Sequence, residues 1–196
     1  MKKLLLTLVL LTGISLYAGE VEEMTKSCHE GNTTSCYKLG MKYDDFGEGA
    51  RKSYEKAKEF YTKACEGNHF NACASLGLLY ELGNGVKQDY AKASQLYTKA
   101  CNGESGDGCT NLGNMYHHGK SIKKDLHKAE EFYTKACYLQ SGLGCYKLGV
   151  LYYEDLNPDA STSVVKSLFR EACSLGEILG CENFELLQKS YRTFEK

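Results

Sequence analysis

Residues 73–101, CASLGLLYELGNGVKQDYAKASQLYTKAC, decide the fold. Cys73, Leu76, Gly77 and Tyr80 recur at helical spacing and share one face. Gly83-Asn84-Gly85 then breaks the pattern, with Val86 placed to tuck beneath the turn. Asp89 stands where the cap of a second helix is expected, and Ala93, Tyr97, Ala100 and Cys101 again fall on one face. The unit is helix A, turn, helix B.

Working outward, the frame returns at Leu112, Gly113, Met115, Tyr116, Gly119, Ile122 and Asp125, then at Ala129, Tyr133, Ala136 and Cys137. Looser copies surround Leu39-Gly40 with Tyr43, and Leu148-Gly149 with Tyr152. In the last copy Asn157-Pro158-Asp159 replaces the glycine turn, Val165 stands for Ala129, and Phe169 for tyrosine. The 10 cysteines fall into five pairs, each with its partners eight residues apart: Cys28 with Cys36, Cys65 with Cys73, Cys101 with Cys109, Cys137 with Cys145, and Cys173 with Cys181. Self-similarity at a period of about 36 residues denotes stacked repeats rather than one globule. The fold class expected is all-α, an α/α superhelical solenoid of helix pairs. Gly40, Gly77, Gly113 and Gly149 share one register, which predicts close approach of helix B with its alanines facing these glycines.

Residues 1–18 read as a signal peptide: Lys2 and Lys3, an apolar run from Leu4, and a small-residue cleavage point at Ala18-Gly19. An uncleaved anchor or a buried first helix is the rival reading. The expected divisions are a capping half-repeat at 19–33, repeats at 34–70, 71–106, 107–142 and 143–178, and a capping helix at 179–196. An even cysteine count in an exported chain indicates a disulfide framework. Pairing within each eight-residue step treats every unit alike. Zinc is the competing use, but no Cys-x-x-Cys occurs and no histidine recurs with the period. Residues eight apart on an unbroken helix lie about 12 Å apart along the axis, beyond the roughly 7 Å a bridge tolerates, so the chain must turn between them. Gly31, Gly67, Gly103, Gly106, Gly108, Gly142, Gly144, Gly176 and Gly180 are the residues expected to supply the turns. With 24 basic and 25 acidic residues overall, the charge balance gives no reason to expect nucleic acid or an anionic membrane as a partner.

The string Leu76-Gly77-x-x-Tyr80, Gly83-x-x-Val86-x-x-Asp89, Lys92-Ala93-x-x-x-Tyr97-x-Lys99-Ala100-Cys101 resembles the Sel-like repeat, a relative of the tetratricopeptide repeat. With a cysteine pair per repeat it is similar to the secreted Helicobacter cysteine-rich protein family. The resemblance implies a right-handed α/α superhelix with one disulfide per repeat and a periplasmic or secreted location. It also implies one of two roles: a binding scaffold for host proteins, or a penicillin-binding protein or weak β-lactamase with a β-lactam or peptidoglycan-related ligand.

The residues themselves favour the first. Ser-x-x-Lys, the core of a serine β-lactamase, occurs at Ser35 with Lys38, Ser53 with Lys56, and Ser163 with Lys166, scattered over different repeats with no Ser-Asp-Asn or Lys-Thr-Gly. No catalytic residue is assigned. His117, His118 and His127 are read as solvated rather than metal-binding, and the carboxylates of Glu130 and Glu131 as a solvated face. No phosphate loop or dinucleotide pattern appears, so no metal or cofactor is expected. By resemblance the A helices line a concave face, where Lys38, Asn111, Asn114, Tyr146 and Lys147 are the residues expected to hold an extended peptide.

Overall fold

Polar caps and glycine breaks divide the chain into antiparallel helices. The structure is a computed structural model that describes residues 19–44, 53–120, 122–156 and 162–194. The signal-peptide reading of residues 1–18 and the Asn157-Pro158-Asp159 turn lie outside the described residues. Tertiary contacts separate two compact units, one ending at Asp89 and one beginning at Tyr90.

The first unit holds α1 (19–29), α2 (Thr33–Asp44), α3 (Tyr54–Glu66) and α4 (Phe70–Leu82). The second holds α5 (Tyr90–Asn102), α6 (Gly106–His118), α7 (Leu126–Tyr138), α8 (Gly142–Leu151), α9 (Thr162–Ser174) and α10 (Ile178–Phe194), with a π-helical turn at Tyr152–Leu156 after α8. Even-numbered helices are the A helices and odd-numbered the B helices of the repeat. Within each unit, consecutive helices pack as hairpins, and α8 also touches the A helices on either side, α6 and α10. Among the described residues there is no strand.

Local sequence explains the helix ends. The Ser53 hydroxyl accepts from the Lys56 N–H at the start of α3, and the Asp125 carboxylate accepts from Lys128 N–H at 3.1 Å at the start of α7. Gly83 and Gly119 close α4 and α6 in the left-handed conformation, as the predicted breaks require.

All five cysteine pairs are bonded as the eight-residue step predicts. The Cα–Cα distance is 4.8 Å between Cys28 and Cys36, 4.7 Å between Cys65 and Cys73, and 4.5 Å between Cys101 and Cys109. It is 4.4 Å between Cys137 and Cys145 and 4.5 Å between Cys173 and Cys181. Each bridge ties the end of a B helix to the start of the next A helix: Cys36, Cys73, Cys109, Cys145 and Cys181 all stand in the first turns of α2, α4, α6, α8 and α10. The corner closes the same way five times. The N–H of Asn32, His69, Ser105, Ser141 and Glu177 donates to the carbonyl five residues back, at 2.9 to 3.0 Å. This is the Schellman closure, and it requires left-handed backbone at the residue before the donor.

Two expectations about glycine need correction. The left-handed position is the third residue after each leading cysteine: Gly31, Asn68, Glu104, Gln140 and Gly176. Glycine fills it only in the first and last corners. Gly67, Gly103, Gly106, Gly108, Gly142, Gly144 and Gly180 are not the left-handed residues. Several of them have a different task. A Cβ on Gly144 or Gly180 would stand 2.5 or 2.6 Å from the Cβ of Ala136 or Ala172, and Gly108 meets Ala100 in the same way. These glycines let the two helices approach beside the disulfide, one residue before Cys109, Cys145 and Cys181. The alanines of helix B therefore face this later register. What faces Gly40, Gly113 and Gly149 is an aromatic ring of helix B, from Tyr61, Tyr133 and Phe169 respectively. A flat ring laid on bare helix backbone fills the space that a β-carbon would need.

Candidate binding face

The ring-on-glycine contact sets the chemistry of the A-helix face. In the second unit the Tyr133 ring is buried over Gly113, and its hydroxyl emerges between polar groups of α6. It donates to Asn114 Oδ1 at 2.7 Å and lies 3.4 Å from His117 Nδ1. With its Oδ1 held by the phenol, Asn114 presents its amide nitrogen as a donor. The carbonyl of Asn114 is 2.9 Å from His118 Nδ1, and the two histidine rings lie 4.8 Å apart. Asn111 and Asn114 are both half-buried, three residues apart on one face of α6.

On α8, the next A helix, Tyr146 and Lys147 are also half-buried. The Tyr146 ring packs on Phe169 with centroids 5.8 Å apart, and the Lys147 ammonium stands 5.7 Å from the Tyr146 centroid. Tyr146 is thus a wall fixed by packing, and Lys147 is the cation beside it. The structure brings Asn111, Asn114, Tyr146 and Lys147 onto neighbouring A helices of one unit. Lys38 is exposed on α2, in the first unit.

Sequence reading missed Tyr133 and His117 as members of this face. Tyr133 looks like a core residue, and its ring is one; only the hydroxyl crosses to the polar side. His117, read as solvated, is half-buried against that hydroxyl. The signal available was the recurrence of tyrosine at Tyr61, Tyr97 and Tyr133, where a purely apolar core would accept phenylalanine. Glu130 also departs from the solvated reading. It accepts the Tyr152 hydroxyl at 2.6 Å, and burial, with that bond and the carboxylate charge, pushes the phenol up to about 12.

The first unit carries the same device with other side chains. The buried Tyr61 hydroxyl lies 3.4 Å from Asp44 Oδ2, and burial followed by the Asp44 charge raises its pKa well above the ordinary phenol value. Tyr61 and Asp44 help to line a groove of about 520 Å³ among α2, α3 and α4.

The Ser-x-x-Lys pairs form no common site. Ser53 is spent as the cap of α3, the Ser35 hydroxyl donates to Ser27 Oγ at 3.1 Å, and Lys166 rests 5.7 Å from the Phe184 ring. His127 pairs with Glu130 at 3.9 Å on α7. Among the described residues no three metal-ligating side chains converge.

Comparison with known proteins matches this geometry to a family. The Sel1 repeat matches residues 33–69, 71–105, 106–141 and 142–177. A Sel1 repeat protein from Oxalobacter formigenes superimposes with a TM-score of 0.76 over 84% of this chain, at 24% identity. The protective antigen c5321 of uropathogenic Escherichia coli, with an SLR fold, gives 0.70 over 82% at 27% identity. The chain spans 65% of the Oxalobacter protein and 34% of c5321. Helicobacter pylori cysteine rich protein B is 36% identical over 69% of this chain and 98% of its own, with a TM-score of 0.53. No curated protein matches the sequence. Four matched repeats, helix hairpins with no described strand, and a disulfide at every corner lead to one assignment: the chain belongs to the Sel1 repeat family, scaffolds that generally mediate protein interactions.

Proposed function

We propose that the protein is a non-catalytic, extracytoplasmic scaffold that binds an extended peptide segment of a partner on the A-helix face of its second unit. One observation carries the reading. The Tyr133 hydroxyl fixes Asn114 by its oxygen, so an amide donor is pre-oriented on a half-buried face beside Asn111, with Lys147 on the next A helix. Pre-oriented amides suit the carbonyls of an extended backbone, and the ammonium suits a carboxylate, terminal or side-chain. Lys38 holds the same repeat register on α2 of the first unit, as a second candidate contact there. Five disulfides fit an oxidising compartment, periplasmic or extracellular, with residues 1–18 as the export signal. Among the described residues no helix is long and apolar enough to cross a membrane.

The test is selection of a displayed random-peptide library on the oxidised protein, followed by titration of the enriched peptides against a variant carrying both Asn111→Ala and Asn114→Ala. Enrichment that the double variant weakens about tenfold or more supports the reading. Failure to enrich any peptide, or enrichment indifferent to these asparagines and to Lys147→Ala, overturns it.

A further inference from the structure

The A helices of the first unit present chemistry opposite to that of α6 at an equivalent position. Met41 on α2 and Leu78 on α4 occupy the repeat register that Asn114 holds on α6. Both are 40% exposed, and Leu82 beside them is 56% exposed. Together with Asp44 and Tyr61 they line the groove of about 520 Å³ in the first unit. Exposed apolar side chains on a folded chain are ordinary singly. Three around one concavity, with one carboxylate in its lining, are the makings of a recognition pocket.

The carboxylate sets the sign. Asp44 is half-buried and is held by the Tyr61 hydroxyl at 3.4 Å, itself rooted in the core over Gly40. The phenol donates to the carboxylate and fixes its direction.

We propose that this groove binds a partner peptide through an apolar side chain that sits next to a cationic group, Lys, Arg or a free N-terminal ammonium. The apolar side chain covers Met41, Leu78 and Leu82, and the cation meets Asp44. This deepens the peptide-binding reading and rests on it: it assigns the A helices of the first unit a peptide groove of their own, with an apolar wall and an acid.

Positional analysis of the displayed random-peptide library distinguishes the two claims. On the oxidised wild type, enriched peptides should place Leu, Met, Ile or Phe within two residues of Lys or Arg, or of a free N-terminus. Asp44→Lys should remove the cationic preference and weaken those peptides about tenfold. Leu78→Asn, which installs the residue of α6 at an already exposed site, should erase the apolar preference while circular dichroism stays unchanged. Peptides that depend on Asn111 and Asn114 but ignore Asp44→Lys and Leu78→Asn would overturn this inference and leave the peptide-binding reading standing. If nothing is enriched, both are overturned. Dimerisation of the wild type that Leu78→Asn abolishes would also overturn it, by making a second copy of the chain the occupant.

Discussion

At the residue scale, glycine here serves packing more often than flexibility. A Cβ on Gly113 would lie 2.6 Å from two ring carbons of Tyr133, which is fully buried and cannot swing aside. Alanine gains up to about 1 kcal/mol of helix propensity at such a site, but overpacking costs about 1–3 kcal/mol, so the clash wins. Gly113→Ala should therefore destabilise the second unit by about 1–2 kcal/mol in urea unfolding and disturb the Tyr133–Asn114 bond above it. The opposite substitution should help at Gln140. Its φ of 60° is left-handed, where a side chain costs about 1–2 kcal/mol and glycine costs only its extra unfolded-state entropy. Gln140→Gly should stabilise by about 0.5–1 kcal/mol, and Glu104→Gly, at φ 63°, likewise; an unchanged or lowered midpoint would contradict the strain assigned there.

His69 makes a third residue-scale case. Its ring stacks on Tyr37 at 4.4 Å, and its Nδ1 is buried with no hydrogen-bond partner. Burial lowers its pKa below the ordinary histidine value. As pH falls through the unfolded value of about 6.5, the unfolded chain takes up the proton before the folded one does. The stability that neutral His69 contributes is thus complete above that pH and declines below it. His69→Asn, which places a good capping side chain at the N-cap of α4, should lose less stability than wild type between pH 7 and 5. Thermal unfolding at the two pH values in matched buffers checks this.

At the element scale, the hairpins and their corners were legible because two independent periodicities coincide. The Leu-Gly-x-x-Tyr and Ala-x-x-x-Tyr frames mark the A and B helices, and the cysteine step marks the corners. What was not legible follows from chemistry that one-dimensional pattern cannot carry. Glu104 and Gln140 resemble ordinary helix-surface residues, and only the Schellman closure shows that the chain forces them left-handed. Gly113 and Gly144 look alike in sequence, yet one receives a ring and the other an alanine. Tyr133 reads as core because its ring is core. The asparagines at 111 and 114 were legible as a face, whereas the phenol that orients one of them was not. Each corner also carries its own covalent support. A closed loop of about nine residues gives roughly 2.5 kcal/mol by chain entropy. Replacing Cys101 and Cys109 by alanine should cost about 2–3 kcal/mol, measured against the oxidised wild type. A loss below about 0.5 kcal/mol would mean that the Schellman closure and the Gly108–Ala100 contact hold the corner unaided.

At the scale of the whole molecule, stability in a repeat protein is mainly a sum of neighbour contacts, so function can be divided among repeats without disturbing the fold. Conserved and varied registers are separated in that way here. Core registers keep their residues: Leu39, Leu76, Leu112 and Leu148 are all buried. The register two residues on varies through Met41, Leu78, Asn114 and Val150, as a surface fitted to a ligand would. Variation on one face of the A helices is what a binding scaffold requires, and no convergent set of catalytic groups is assembled on it among the described residues. The most direct measurement is a residue-resolved NMR titration of the oxidised protein with a library-selected peptide. Saturable shifts concentrated on the A-helix faces of α6 and α8, around Asn111, Asn114 and Lys147, are the predicted result; shifts confined to the outward faces of α7 and α9, or spread without saturation, would contradict it.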